Sequence, residues 1–314
     1  MIRKTFLVCI LSLCATIIAL NACTTVAQTN VKDTSNSGYM ANGSNESIWE
    51  ADLTDKSRFT LNLKLSTNEQ RLAKKFSRTV QKNLTDNKVY VHYLFTKLKE
   101  ENLPLELAAI PLIESGLNPH VHYKGAHGAW QFVRSTGKTL GLHKTGSYDG
   151  LYDFFACTDA GVKYLKYLYS ELKNWELVVA AYNQGEYGVK KAISRAKKSG
   201  VKHITADNTP INAMARNYVH KFRAFSDILK NPDKYQIDLP NIKNRSSFKK
   251  VEIAGQIKSL NEVARLSGAS IKELKKLNSG YTTDKIDSMH GLLVPIEHAD
   301  QLEKALYSKR QQQK

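Results

Sequence analysis

From Thr67 to about Pro240 apolar residues recur at the spacing of an α-helix, and no stretch alternates as a half-buried strand would, so the bulk of this chain is expected to fold as packed helices. Leu105, Ala108, Ala109, Leu112 and Ile113 share one face, and Leu165, Leu168, Tyr169 and Leu172 share another. Thr67-Asn68-Glu69-Gln70 has the form of a capping box, Pro104 suits a first helical position, and Pro111 is expected to strain or kink its helix. Beyond Pro240 the pattern changes. Lys249 to Ile253 reads as a short strand, Ser259-Leu260-Asn261-Glu262 opens a helix that Gly268 ends, Ser270-Ile271-Lys272-Glu273 opens a second, and Leu292-Leu293-Val294-Pro295 reads as a closing strand. A further helix is expected from Ala299 to Leu306. These patterns imply a mainly α fold: a helical body over residues 66–240, then a small, separate α+β unit of βααβ type over residues 245–309. With 314 residues the chain has room for about two such domains.

Within the helical body, Glu114 most needs explaining. It closes the apolar run from Leu103 to Ile113 and is followed at once by Ser115-Gly116, where a helix stops. Burial against apolar neighbours disfavours an ionised carboxylate and raises its pKa, which turns a glutamate into a general acid near neutral pH. A helix-end glutamate pointing to water is the plain alternative.

Cysteines and charge define the setting. Arg3 and Lys4 precede an apolar stretch from Thr5 to Leu20, and Asn21-Ala22-Cys23 follow, the pattern of a secretory signal over residues 1–23. Leu20, Ala22 and Cys23 fall where a bacterial lipobox has its leucine, small residue and lipidated cysteine; an uncleaved membrane anchor is the alternative. Either way the body is held at a membrane. Residues 24–65, rich in Thr, Ser, Asn and Gly, read as a flexible tether, with a span of roughly 35 Å for about 40 residues. Once Cys9 and Cys14 leave with the signal and Cys23 carries lipid, Cys157 is the one thiol left, so no internal disulfide is possible. In Phe154-Phe155-Ala156-Cys157 it reads as a buried apolar residue rather than a nucleophile. The excess of 46 basic over 29 acidic side chains, a formal +17, favours an anionic partner. Export leaves anionic lipid or cell-wall polymer as that partner, and no nucleic acid is expected.

Past Glu114-Ser115 come Gly128-Ala129-Trp130-Gln131-Phe132, then Ala160-Gly161 with Tyr164-Leu165, Ala181-Tyr182-Asn183 and Asn217-Tyr218-Val219. Each segment is weak alone, but in this order they are specific: from about Leu103 to Tyr235 the chain resembles the Slt-type lytic transglycosylases, lysozyme-like enzymes of bacterial cell walls. Asp227-Ile228-Leu229-Lys230-Asn231 resembles the ending of a membrane-bound subgroup that pairs this domain with LysM modules. The resemblance implies peptidoglycan glycan strands as substrate and no cofactor or metal. It implies that Glu114 protonates the β-1,4 oxygen between N-acetylmuramic acid and N-acetylglucosamine, then accepts the proton of the muramyl 6-hydroxyl as that hydroxyl attacks C1, giving a 1,6-anhydro sugar. Glycosidases normally need a second carboxylate. Here the nucleophile arrives on the substrate at high effective concentration, so one acid suffices. By the same resemblance Ser115 sits beside the acid, Gln131 and Asn183 bond sugar hydroxyl or acetamido groups, and Tyr182 lies close to the carboxyl. Trp130 and Tyr218 complete the groove, with core packing as the alternative for Trp130 and Tyr182.

The chain also departs from the family. Tyr123 stands where many relatives have a serine that bonds the acid, and Met214-Ala215 replaces a Glu-Thr pair before Tyr218. His120, His122 and His127 raise the thought of a metal site, but they lack the regular helical spacing of zinc hydrolases, and exposed loop histidines are the expectation. The carboxy-terminal unit resembles a LysM module in Leu274-Lys275-Lys276-Leu277-Asn278 and in Leu293-Val294-Pro295, although the usual Gly-Asp-Thr start is missing around Gly255-Gln256-Ile257. LysM modules bind glycans containing N-acetylglucosamine. The chain is thus expected to be a lipid-anchored lytic transglycosylase of the cell envelope, at the outer membrane facing the periplasm as Thr24 after Cys23 suggests. The competing readings are a non-catalytic peptidoglycan-binding lipoprotein, a hydrolase in which water replaces the sugar hydroxyl, and a basic nucleic-acid-binding protein, which conflicts with export.

Overall fold

A computed structural model of the chain describes residues 46–54, 56–253, 255–286 and 291–312. The signal, Cys23 and residues 24–45 of the expected tether lie outside them. No helix among the described residues is long and apolar enough to cross a membrane.

The tether assignment to residue 65 needs correcting at its end. Helix α1 (Ile48–Thr54) buries Ile48 and Trp49, and the Trp49 indole donates to the Pro240 carbonyl at 2.7 Å. Two large apolar side chains anchor a segment whose average composition is polar. Helix α2 (Thr67–Asp86) does start on a capping box, one residue earlier than its sequence suggests: Ser66 accepts from the Glu69 N–H at 3.3 Å, and Glu69 accepts from the Ser66 N–H at 2.6 Å. Helix α3 (Lys88–Glu100) follows.

Pro104 then sits just ahead of a 3-10 turn, Leu105–Ala108, which passes into α4 (Ala109–Ser115). The expected kink at Pro111 is absent because the winding changes before it. Pro111 lies in the first turn of α4, where backbone N–H groups lack helical acceptors and a missing one does no harm. Gly116 ends α4 in the left-handed region at φ 66°, and a Cβ there would lie 2.5 Å from the Asn83 side chain.

Three two-residue strands, β1 (His122–Tyr123), β2 (Ala126–His127) and β3 (Phe132–Val133), form an antiparallel sheet in chain order. Strands this short carry no readable alternation. Helices α5 (Arg134–Thr139), α6 (Phe154–Leu172), α7 (Trp175–Gln184), α8 (Glu186–Lys198) and α9 (Ala213–Lys230) complete the body. Asp153, Asn174 and Asn212 cap α6, α7 and α9 with their side chains. Helix α9 is the central element, packed on α2, α4 and α7.

The carboxy-terminal unit has the expected order: β4 (Phe248–Val251), α10 (Leu260–Ser267), α11 (Ile271–Leu277), β5 (Leu292–Pro295) and α12 (Ile296–Gln312). β4 and β5 pair antiparallel, with Phe248 opposite Pro295. Ser259 and Ser270 cap the first two of these helices, and Gly268 ends α10 at φ 74°. The unit has its own core around Val263, Leu274 and Leu302, yet Phe248, Leu277 and Leu293 belong to the core of the helical body. Phe248 packs edge-on to Phe155 at 4.8 Å, the Tyr90 hydroxyl donates to the Lys276 carbonyl at 2.6 Å, and the Asp149 N–H donates to the Gly280 carbonyl at 2.8 Å. Body and unit are joined through a shared interior rather than by a loose linker.

Candidate active site

Glu114 sits in the last turn of α4, partly exposed. Burial pushes its carboxyl up to about 7, against the opposing pull of a hydrogen bond from Tyr218 and the positive charge of Lys221. The Tyr218 hydroxyl donates to Glu114 Oε1 at 2.6 Å. Tyr218 is 7% exposed, and burial together with the nearby carboxylate holds its phenol well above the ordinary value, so it remains a donor. An acid protonated near neutral pH and gripped by one buried phenol is suited to giving a proton and taking it back.

Beside this pair opens a cleft of about 820 Å3 between the start of α2 and the exposed face of α9. Arg71 and Leu72 line it from α2, Met214, Asn217, Tyr218 and Lys221 from α9, and Asn183 from the end of α7. Asn183 Oδ1 is buried and has no hydrogen-bond partner among the described residues. A carbonyl oxygen left in that state is an acceptor for a ligand N–H or O–H.

The family model of the transglycosylase SLT domain matches residues 94–205, and that of the lytic transglycosylase MltD LysM-like domain matches residues 247–311. The chain carries an SLT domain joined to an MltD-type LysM-like domain. It is 34% identical over 223 residues to membrane-bound lytic murein transglycosylase D of Escherichia coli (strain K12), a stretch covering 70% of this chain and 49% of that one. The same protein from Escherichia coli O6:H1 matches to the same extent. The chain spans about half the length of these relatives.

In this SLT domain the segment Gly128–Gln131 is held by the residues expected at the substrate. Ser115 Oγ donates to the Ala129 carbonyl at 2.8 Å, Tyr182 donates to the Trp130 carbonyl at 2.6 Å, and Gln131 Nε2 donates to the carbonyls of Gly128 at 2.7 Å and Val121 at 3.1 Å. Ser115 and Tyr182 therefore position the loop against α4 and α7, and Tyr182 does not bond the acid. Tyr218, expected only in the groove, does. Trp130 is a correction: it is fully buried, its indole donates to Thr158 at 3.1 Å, and a Cβ on Gly161 would meet its ring at 2.6 Å, so it packs the core and cannot touch a sugar. Gly128, at φ 78°, passes so near the Leu151 carbonyl that a Cβ would come within 1.8 Å.

The family departures settle differently. Tyr123 is exposed on β1, and the acid takes its hydrogen bond from Tyr218. Met214 is exposed at the cleft and Ala215 is buried under the Asn212 cap. His122 and His127 are cross-strand partners with rings stacked at 4.3 Å, and His127 Nδ1 lies 2.9 Å from the Tyr152 hydroxyl. Among the described residues no three potential metal ligands converge. Cys157 is buried with its thiol pushed far up by burial and by Asp153, which keeps it from acting as a thiolate.

One group escaped sequence reasoning. Glu69, 1% exposed, accepts from Arg223 at 2.9 Å and lies 2.7 Å from His220 Nδ1, while Arg223 also holds Glu176 and Asp207. Burial alone would raise Glu69, but hydrogen bonds from His220, Ser66 and Arg223 hold it at about 2. The spacing of Met214, Asn217, Tyr218 and Lys221, all on one helical face, was the available signal for the cleft side of α9.

Proposed function

We propose that this protein is a peptidoglycan lytic transglycosylase that cleaves the β-1,4 bond from N-acetylmuramic acid to N-acetylglucosamine without water, with Glu114 as acid and then base. The observation that carries the proposal is the bond to Glu114 from Tyr218, a residue that lines an open cleft, with the carboxyl held at about 7. In the first half-reaction the protonated carboxyl delivers its proton to the leaving oxygen, and Tyr218 stabilises the carboxylate left behind. In the second, the carboxylate accepts the proton of the muramyl 6-hydroxyl as it closes on C1. Asn183 supplies an acceptor suited to an acetamido N–H.

The carboxylate that lines the cleft itself, Glu69, is committed to Arg223, His220 and Ser66 and stays ionised, which makes it a poor base or nucleophile. That favours a one-carboxylate mechanism over double-carboxylate hydrolysis. The LysM-like domain would hold the enzyme on its polymer, and Cys23 would carry the lipid that anchors it at the outer membrane, facing the periplasm.

Digestion of purified sacculi followed by mass measurement of the soluble fragments tests this. Anhydro-muropeptides, one water lighter than hydrolysis products, are expected from the wild type and absent from Glu114→Gln. Reducing ends would make the protein a hydrolase, and binding to sacculi with no soluble fragments would make it a non-catalytic binder.

A further inference from the structure

The cleft is lined at helical spacing from two sides. On α9, Met214, Asn217, Tyr218 and Lys221 follow at steps of three, one and three residues, so Lys221 lies just under one turn beyond Tyr218, about 4.5 Å along the axis. Lys221 is near enough to Glu114 to draw its pKa down. On α2, Arg71 lines the same cleft, its guanidinium bonded to the neutral Asn68 side chain at 3.2 Å. Among the described residues neither cation forms an ion pair. The carboxylate closest in kind, Glu69, is spent on a buried arginine and on fixing His220 at the cleft wall. Positive charge therefore faces the cleft without being cancelled from within it.

We infer that Lys221 and Arg71, with His220 held beside them, form a subsite for the carboxylate on the side arm of N-acetylmuramic acid, and so set which sugar of the alternating strand lies at the acid. The inference rests on the peptidoglycan reading above. Muramic acid carries a lactyl group at O3: its carboxylate is free in denuded strands and is amide-linked to a carboxylate-bearing peptide in others. N-acetylglucosamine has no such charge. A neutral cleft would seat the strand equally well in two registers one sugar apart, and in one of them the wrong bond meets Glu114. A cation one turn from the acid's partner, with a second lining the same cleft from α2, favours the register that places the anionic sugar there, because charge-assisted contacts are lost on a one-sugar slip.

The test is binding to the full chain in the Glu114→Gln background, so that no strand is cleaved, with and without Arg71→Gln and Lys221→Met. Both residues are exposed, so the fold should survive. Binding is read rather than rate because Lys221 also acts on the acid. Any contribution of the LysM-like domain is the same in both proteins. Denuded glycan strands are expected to lose about tenfold or more in affinity, the loss shrinking as salt rises, while a neutral N-acetylglucosamine hexamer binds as before. A loss confined to peptide-bearing strands would assign the subsite to the peptide carboxylates instead of the lactyl group. Equal losses for charged and neutral ligands, or no loss for either, would overturn the inference while leaving the proposed reaction intact. If Glu114→Gln cleaves strands as fast as wild type, the proposed reaction and the inference fall together.

Discussion

Replacing Tyr218 with Phe removes the hydroxyl that, among the described residues, bonds Glu114, and leaves the buried ring in place. The hydrogen bond favours the charged carboxylate, so its loss moves the pKa upward from about 7. A hydrogen bond to a charged group contributes about 1.5–3 kcal/mol, and one pH unit corresponds to about 1.4 kcal/mol, which places the shift at about one to two pH units. Glu114 is partly exposed, which screens the bond, so the lower figure is the better guide. In the proposed reaction catalysis starts from the protonated acid, and the alkaline limb of kcat/KM follows the acid of the free enzyme. Initial rates of sacculus clearing, measured at low substrate from about pH 5 to about pH 10, should show that limb moving up by about one unit. Absolute rates should fall as well, since the carboxylate formed on proton transfer has lost its donor. An alkaline limb that stays in place or moves to lower pH would refute this account of how Glu114 is tuned.

Three further outcomes are expected. Glu114 in the folded chain keeps its proton to about 7 against an ordinary 4.5, so its stability contribution is intact below 4.5 and is lost as pH rises through 7; Glu114→Gln should be more stable than wild type above pH 7 by up to about 3 kcal/mol in urea unfolding, and equal to it near pH 4. Glu69 has the opposite sign: held at about 2, it stabilises above 4.5 and loses that as pH falls through 2, so Glu69→Gln should lose about 2–3 kcal/mol at pH 7, a gap that closes towards pH 2. Ending the chain before Arg245 uncovers Phe155 and Tyr90, which Phe248 and Lys276 now cover, so calorimetry should show a Tm lowered by several degrees; an unchanged Tm would mean that the two units fold independently.

Much of the architecture was legible because it depends on short-range rules. The caps at Ser259 and Ser270, the stop at Gly268 and the closing strand Leu292–Pro295 stand where the residues place them. Errors cluster where distant residues intervene. Trp49 folds a polar-looking segment by reaching Pro240, the three-stranded sheet is too short to register a period, and Pro111 is harmless because a 3-10 turn precedes it. The site followed the same rule. Glu114 stood out as the candidate acid from its place after an apolar run, but the division of labour between Tyr182 and Tyr218 did not, since it depends on which phenol faces a backbone carbonyl and which faces Glu114.

The amino-acid sequence by itself determined a helical body, a βααβ appendage and an acid at the end of an apolar helix, because periodicity, capping and helix termination act over a few residues. Tertiary structure alone decided that Tyr218 holds the acid, that Trp130 is core, that Glu69 is locked by Arg223, and that the appendage shares the body's interior. Each of those contacts joins residues far apart in the chain, and burial, which sets the acid's pKa, exists only once the helices have packed.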